Sequence, residues 1–146
     1  MKERCVDASI AIKWAVKGEA FRNIARAFLA DAGANGFRLI PQPLFISEVD
    51  SVIRRRVFEN KMPPSEAKKA YKILDSAPVE IVDILDARQQ ARQIAEKYRQ
   101  KTVYDATYAA LAFLRDCEFW TADKLFYEAV QSGLRFVKYL PAFQKV

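Results

Sequence analysis

Four carboxylates stand where an acid has more to do than meet water: Asp7, Glu48, Asp105 and Asp123. Asp7 closes a first short extended run and Asp123 follows another in the same relation. Crossover sheets open their ligand crevice at such carboxyl ends of strands. Asp105 is at the mouth of the apolar run Tyr108 to Leu114, and Glu48 lies within a turn of Phe45, Val49 and Val52, bordering a core-facing stripe. Each acid has an ordinary use as well. Asp105 and Asp123 can cap helices and Asp7 can end a strand, whereas a carboxylate on an apolar stripe is costly without a partner. Together they allow a single site. If they converge to within ~5 Å, each pair repels by roughly 3 kcal/mol at an effective dielectric near 20, so a cation has to join them. Oxygen donors without histidine or paired cysteine suit magnesium or manganese rather than zinc or copper. Such an ion activates water and neutralises a phosphoryl group, which makes the expected chemistry phosphodiester hydrolysis.

The rest of the composition narrows the field. There is no histidine among the 146 residues, which excludes Ser-His-Asp and Cys-His hydrolysis. Glycines at 18, 33, 36 and 133 make neither a dinucleotide fingerprint nor a P-loop. A phosphatase of the haloacid-dehalogenase kind would want a second Asp two residues after Asp7, where Ser9 stands. Cys5 and Cys117 read as buried free thiols. The residues Met1 to Val6 are charged and no apolar run approaches the ~20 residues of a membrane span, so a soluble, cytoplasmic protein is expected. The balance of 24 basic to 18 acidic residues, net +6, is a mild bias toward polyanions. Arg55, seven residues after Glu48 and flanked by Arg54 and Arg56, is the best phosphate-binding candidate, with Lys13 second. Lys68, Lys69 and Lys72 read as an exposed face, and Phe28, Phe45, Phe113 and Phe119 as core. Trp14 and Tyr104 read as packing residues near the acids.

Positioning these groups falls to alternating short extended runs and longer amphipathic ones, the pattern of one α/β domain over 1–146 with a mostly parallel sheet. Strands are expected at Arg4 to Asp7, Phe37 to Ile40, Val79 to Ile84, Glu118 to Thr121 and Phe136 to Leu140. Helices are expected from Ser9, over Glu19 to Ala32, Leu44 to Phe58, Ser65 to Ser76, Asp86 to Arg99, from about Asp105, and over Lys124 to Ser132. Asp86 with Gln89 spells a capping box.

At the four acids the chain resembles the PIN-domain nucleases, and within them the toxins of the VapC type. Val6 to Ser9 followed by Lys13 and Trp14 resembles the first acidic motif, Pro43 to Val49 with Glu48 the second, Tyr104 to Ala112 the third, and Trp120 to Asp123 the fourth. The resemblance implies a PIN-like fold with about five mostly parallel strands flanked by helices. It implies a magnesium- or manganese-dependent endoribonuclease, usually a homodimer, with a cognate antitoxin over the acidic groove. Asp7, Glu48, Asp105 and Asp123 would be the catalytic, metal-binding acids, and Ser9 and Thr121 would orient them. Relatives often carry Asn two places after the second acid. Here that residue is Asp50, about 200° around the helix from Glu48 and so expected to face away. The competing reading is a non-catalytic module of the same fold that binds RNA or protein.

Overall fold

The computed structural model describes residues 2–145; the terminal residues of the expected 1–146 domain lie outside them. The strands are β1 (Lys2–Val6), β2 (Phe37–Ile40), β3 (Glu118–Thr121) and β4 (Val137–Tyr139). The helices are α1 (Ala8–Ala15), α2 (Arg22–Ala34), α3 (Phe45–Phe58), α4 (Pro64–Asp75), α5 (Ala87–Lys97), α6 (Tyr104–Leu114) and α7 (Lys124–Val130), and a 3-10 turn follows at Leu140–Ala142. The strand order is β2-β1-β3-β4 and every pairing is parallel. All carboxyl ends therefore emerge on one edge.

The expected strand over Val79 to Ile84 is reduced to a single bridge, Leu39 to Val79. The segment still runs beside β2: Glu80 N–H donates to the Leu39 carbonyl at 2.9 Å and Val82 N–H to that of Pro41 at 3.0 Å. Pro41 has a carbonyl to offer but no N–H, so the reciprocal half of the ladder cannot form. The result is a four-stranded sheet with a loosely attached fifth edge.

Helix α6 carries the centre of the core. Ala106, Tyr108, Ala109, Ala110, Leu111 and Ala112 are all buried, because small side chains let the helix settle onto β1 and β3 on one side and α5 on the other. Tyr108 stacks on Phe119 of β3 with ring centroids 5.6 Å apart. Phe28, Phe45 and Phe119 are buried as expected, but Phe113 is 53% exposed on the outer face of α6. Trp14 is buried and its indole N–H donates to the Ala25 carbonyl at 3.0 Å, while Tyr104 is exposed. Cys5 and Cys117 are free thiols, the first buried and the second half-buried.

Two local expectations fail for identifiable reasons. Asp86 has helical backbone angles and makes no capping bond, so the apparent capping box is not used. Helix α2 starts at Arg22 rather than Glu19, since Phe21 is left-handed at φ 59° and Gly18 at φ 81°. Only glycine adopts such a conformation without strain, and the turn it helps make leaves Glu19 outside any helix. No described helix is long and apolar enough to cross a membrane.

Candidate active site

The register of the central strands builds the first corner of the site. Val6 lies beside Trp120, so the next residues along, Asp7 and Thr121, come out together at the carboxyl edge. From β1 the sheet extends to β2 on one side and through β3 to β4 on the other. That point of reversal is where open α/β sheets leave a crevice.

Asp7 is 3% exposed. Its Oδ1 accepts from Ser9 Oγ at 2.5 Å and from Ile10 N–H at 3.4 Å, and its Oδ2 accepts from the Thr121 hydroxyl. The same hydroxyls accept in turn. Ser9 Oγ takes Ala122 N–H at 2.9 Å and Thr121 Oγ1 takes Asp123 N–H at 3.0 Å. The start of α1 and the turn from β3 into α7 are thus locked together through one carboxylate. Asp7 also caps α1, and Asp123 caps α7 by accepting Phe126 N–H at 3.0 Å. Capping and facing the cleft are not alternatives at these positions.

The other two acids arrive on helix starts. Asp105 lies in the first turn of α6 behind Val103 at the cap position, and makes no capping bond. Its carboxyl instead faces the charges of Asp7 and Asp123 in the same cleft. Glu48, in the first turn of α3, accepts from the Tyr108 hydroxyl at 2.9 Å. A carboxylate on an apolar stripe needed a partner, and the core helix supplies one.

Charge is crowded here. Burial pushes the Asp105 carboxyl up to about 7, helped by the charges of Asp7, Asp123 and Glu48. Burial likewise lifts Asp7 to about 6 against the pull of the Ser9, Thr121 and Ile10 donors. Glu48 is raised by burial and only partly relieved by Tyr108. The Tyr108 phenol, raised by its own burial, stays protonated and is a fixed donor. None of the four acids has a basic partner among the described residues.

All four line one cleft of about 330 Å³, together with Ser9, Lys13, Glu19, Val52 and Arg56. Among the described residues, no three His, Cys, Asp or Glu side chains are grouped tightly enough to be a ready ligand set. The acids ring the cleft and act on one another through their fields, with Asp7 and Glu48 still satisfied by hydroxyls. An all-carboxylate donor set with unneutralised charge nevertheless fits a hard divalent cation.

The basic residues are arranged differently from the expectation. Arg54 and Arg55 are exposed and line a separate groove with Asp50, Ser51, Phe58, Tyr71 and Asp75. The structure does not bring them to the acids. Arg56 reaches the cleft, because Glu48, Val52 and Arg56 form one row at four-residue steps along α3. Lys13 is in the cleft, and both cations are held by Glu19, which lies in the turn between α1 and α2 rather than in the helix expected from Glu19 to Ala32. In the sequence Tyr108 figures only in an apolar helical run and in the third motif, with no role at the acids. Its signal is a polar tip opening the apolar run Tyr108 to Leu114, three residues after Asp105. Asp50 is exposed and away from Glu48.

A carboxylate-ringed crevice at the reversal point of a parallel sheet defines the class, and the sequence agrees. The model of the PIN domain matches residues 4–131, and the chain belongs to the PIN-domain family. Among solved structures it is similar to Mycobacterium tuberculosis VapC20, described as a sarcin-ricin loop cleaving toxin. That likeness has a TM-score of 0.63 and 19% identity, over 86% of this chain and 94% of the other. It is also similar to PAE2754 from Pyrobaculum aerophilum, with a TM-score of 0.67 and 15% identity over 96% and 92% of the two chains. At these identities the likeness is one of fold. No curated protein matches the sequence.

Proposed function

We propose that this chain is a divalent-metal-dependent endoribonuclease, the toxin of a VapBC-type toxin-antitoxin pair, acting in the cytoplasm as a homodimer. One observation carries the reading: four carboxylates from four separate segments line a single cleft, and among the described residues no cation pairs with any of them. Asp7, Glu48, Asp105 and Asp123 would hold Mg2+ or Mn2+, which supplies water activation and charge neutralisation at the phosphoryl group when bound. Ser9 and Thr121 keep the Asp7 carboxylate in one orientation, and Tyr108 does the same for Glu48. Lys13 and Arg56 offer the positive groups that a phosphate needs beside so many acids. Arg54 and Arg55, on their own groove, are suited to a more distant stretch of RNA backbone. Attack of water on the phosphorus without use of the 2′ hydroxyl leaves 5′ phosphate and 3′ hydroxyl ends.

A second reading has an observation of its own. Asp7 and Asp123 already serve as helix caps, so a binding module could keep both without chemistry. Incubating the purified chain with structured RNA decides between them. Cleavage in Mn2+ that is abolished by chelator and by Asp105→Asn supports the nuclease; cleavage that survives both refutes the metal mechanism, and no cleavage in any condition favours the module. For the pairing, a small protein encoded immediately upstream should abolish cleavage when co-purified, and a solitary gene argues against the toxin role.

A further inference from the structure

The positive side of the cleft rests on a single carboxylate. Glu19 Oε1 faces Lys13 Nζ at 3.4 Å, and its Oε2 accepts from an Arg56 terminal nitrogen at 2.7 Å. The three residues come from different places: Lys13 from α1, Arg56 from late α3, and Glu19 from the turn between α1 and α2. Lys13 is 8% exposed. Neither cation has another acidic partner among the described residues. Burial pushes the Glu19 carboxyl up, but the hydrogen bond and charge of Arg56, with Lys13, outweigh it and hold the group ionised.

Charge and reach give this arrangement its meaning. The trio sums to one positive charge, set against four acids in the same cleft. An ammonium released from Glu19 has those carboxylates within reach of its flexible stem, and settling on them would occupy the space of a divalent ion. While tied to Glu19, Lys13 spends one of its three donors and Arg56 one of its five, so donors remain for the oxygens of a phosphate. The left-handed Gly18 makes the turn that sends Glu19 back to this position.

We propose that Glu19 is a positioning residue that holds Lys13 and Arg56 as a two-cation clamp for an RNA phosphate and keeps both off the four acids. The proposal rests on the ribonuclease reading. Its test is Glu19→Gln in the full chain, which removes the charge and keeps the shape. In the variant, Mn2+ uptake by calorimetry weakens about fivefold, because a freed ammonium competes for the acids. Binding of a fluorescein-labelled single-stranded RNA decamer in Ca2+ weakens about threefold, and its salt slope becomes shallower by about one. In Mn2+, kcat for cleavage falls about tenfold while KM moves threefold or less. Glu19→Asp recovers most of these losses, and adding Lys13→Gln to Glu19→Gln restores Mn2+ uptake. A residue that merely braced the fold would lower the thermal midpoint without moving the Mn2+ affinity or the salt slope. Unchanged Mn2+ affinity and slope overturn the proposal, as does tighter decamer binding, which would make Glu19 a rival of phosphate. A wild-type chain that binds Mn2+ and decamer but never cleaves refutes the ribonuclease reading, and the two binding measurements still decide the role of Glu19.

Discussion

Replacing Asp105 by Asn should stabilise the metal-free protein at alkaline pH and do nothing for it in acid. The Asp105 carboxyl, ordinarily near 3.8, is raised to about 7 by burial and by the charges of Asp7 and Asp123. A group whose folded pKa lies above its unfolded value contributes stability that is fully present below the unfolded value. That contribution is lost as pH rises through the folded one. The loss therefore falls between about pH 4 and pH 7. Three pH units correspond to about 4 kcal/mol. Asp105 keeps some contact with solvent and Asp7 shares the same repulsion, so we discount the figure to about 2–3 kcal/mol. Asparagine carries no charge to lose. In thermal unfolding with chelator, Asp105→Asn should match wild type near pH 3 and melt about 5–10 °C higher near pH 8. Mn2+ should reverse the order at pH 8, because only wild type retains the full set of acids for it. A variant that melts lower than wild type at pH 8 without metal, or a difference that does not vary with pH, would refute the electrostatic account of the cleft.

Other substitutions probe the frame around the acids. Thr121→Val removes the hydroxyl that donates to the buried Asp7 Oδ2, and should cost about 1–3 kcal/mol in urea unfolding while reducing Mn2+-dependent cleavage. Tyr108→Phe keeps the stack on Phe119 but frees Glu48; we expect about 1 kcal/mol of destabilisation and a larger loss in cleavage than in stability, read by comparing kcat with the unfolding midpoint. Far from the cleft, Asp31→Ala strips the buried Arg4 guanidinium of its 2.9 Å partner and should cost about 3–5 kcal/mol by urea unfolding. Cleavage by the fraction still folded should be unaltered.

The four acids could be found in the sequence because their positions are abnormal for acids. Asp7 and Asp123 follow short strands at their carboxyl ends, Glu48 interrupts an apolar stripe and Asp105 opens an apolar helix, and they do line one cleft. Strands β2 and β3 have the expected ends, since short apolar runs between polar breaks have little freedom to shift. Val79 to Ile84 misleads because its alternation is real but its neighbour Pro41 lacks the N–H needed for pairing. Glu19 was hidden by good helical periodicity downstream, which gives no sign that Phe21 turns left-handed. Arg55 was favoured over Arg56 by a seven-residue count around an ideal helix. Side chains meet a cleft along rows of four, and those pass through Val52 to Arg56. The Tyr108 to Glu48 bond spans 60 residues, and local pattern carries no record of such a contact.

Asp7 begins a helix with the same carboxylate that it presents to the crevice, and asparagine begins helices equally well. Exchanging one oxygen there for an amide nitrogen would silence the proposed chemistry while keeping the cap and relieving a buried charge. Selection for a sturdy scaffold alone would not resist that exchange, so descendants of this chain have an easy route to well-folded, inert copies. On the proposed mechanism, a need for the reaction is what would hold the acid in place.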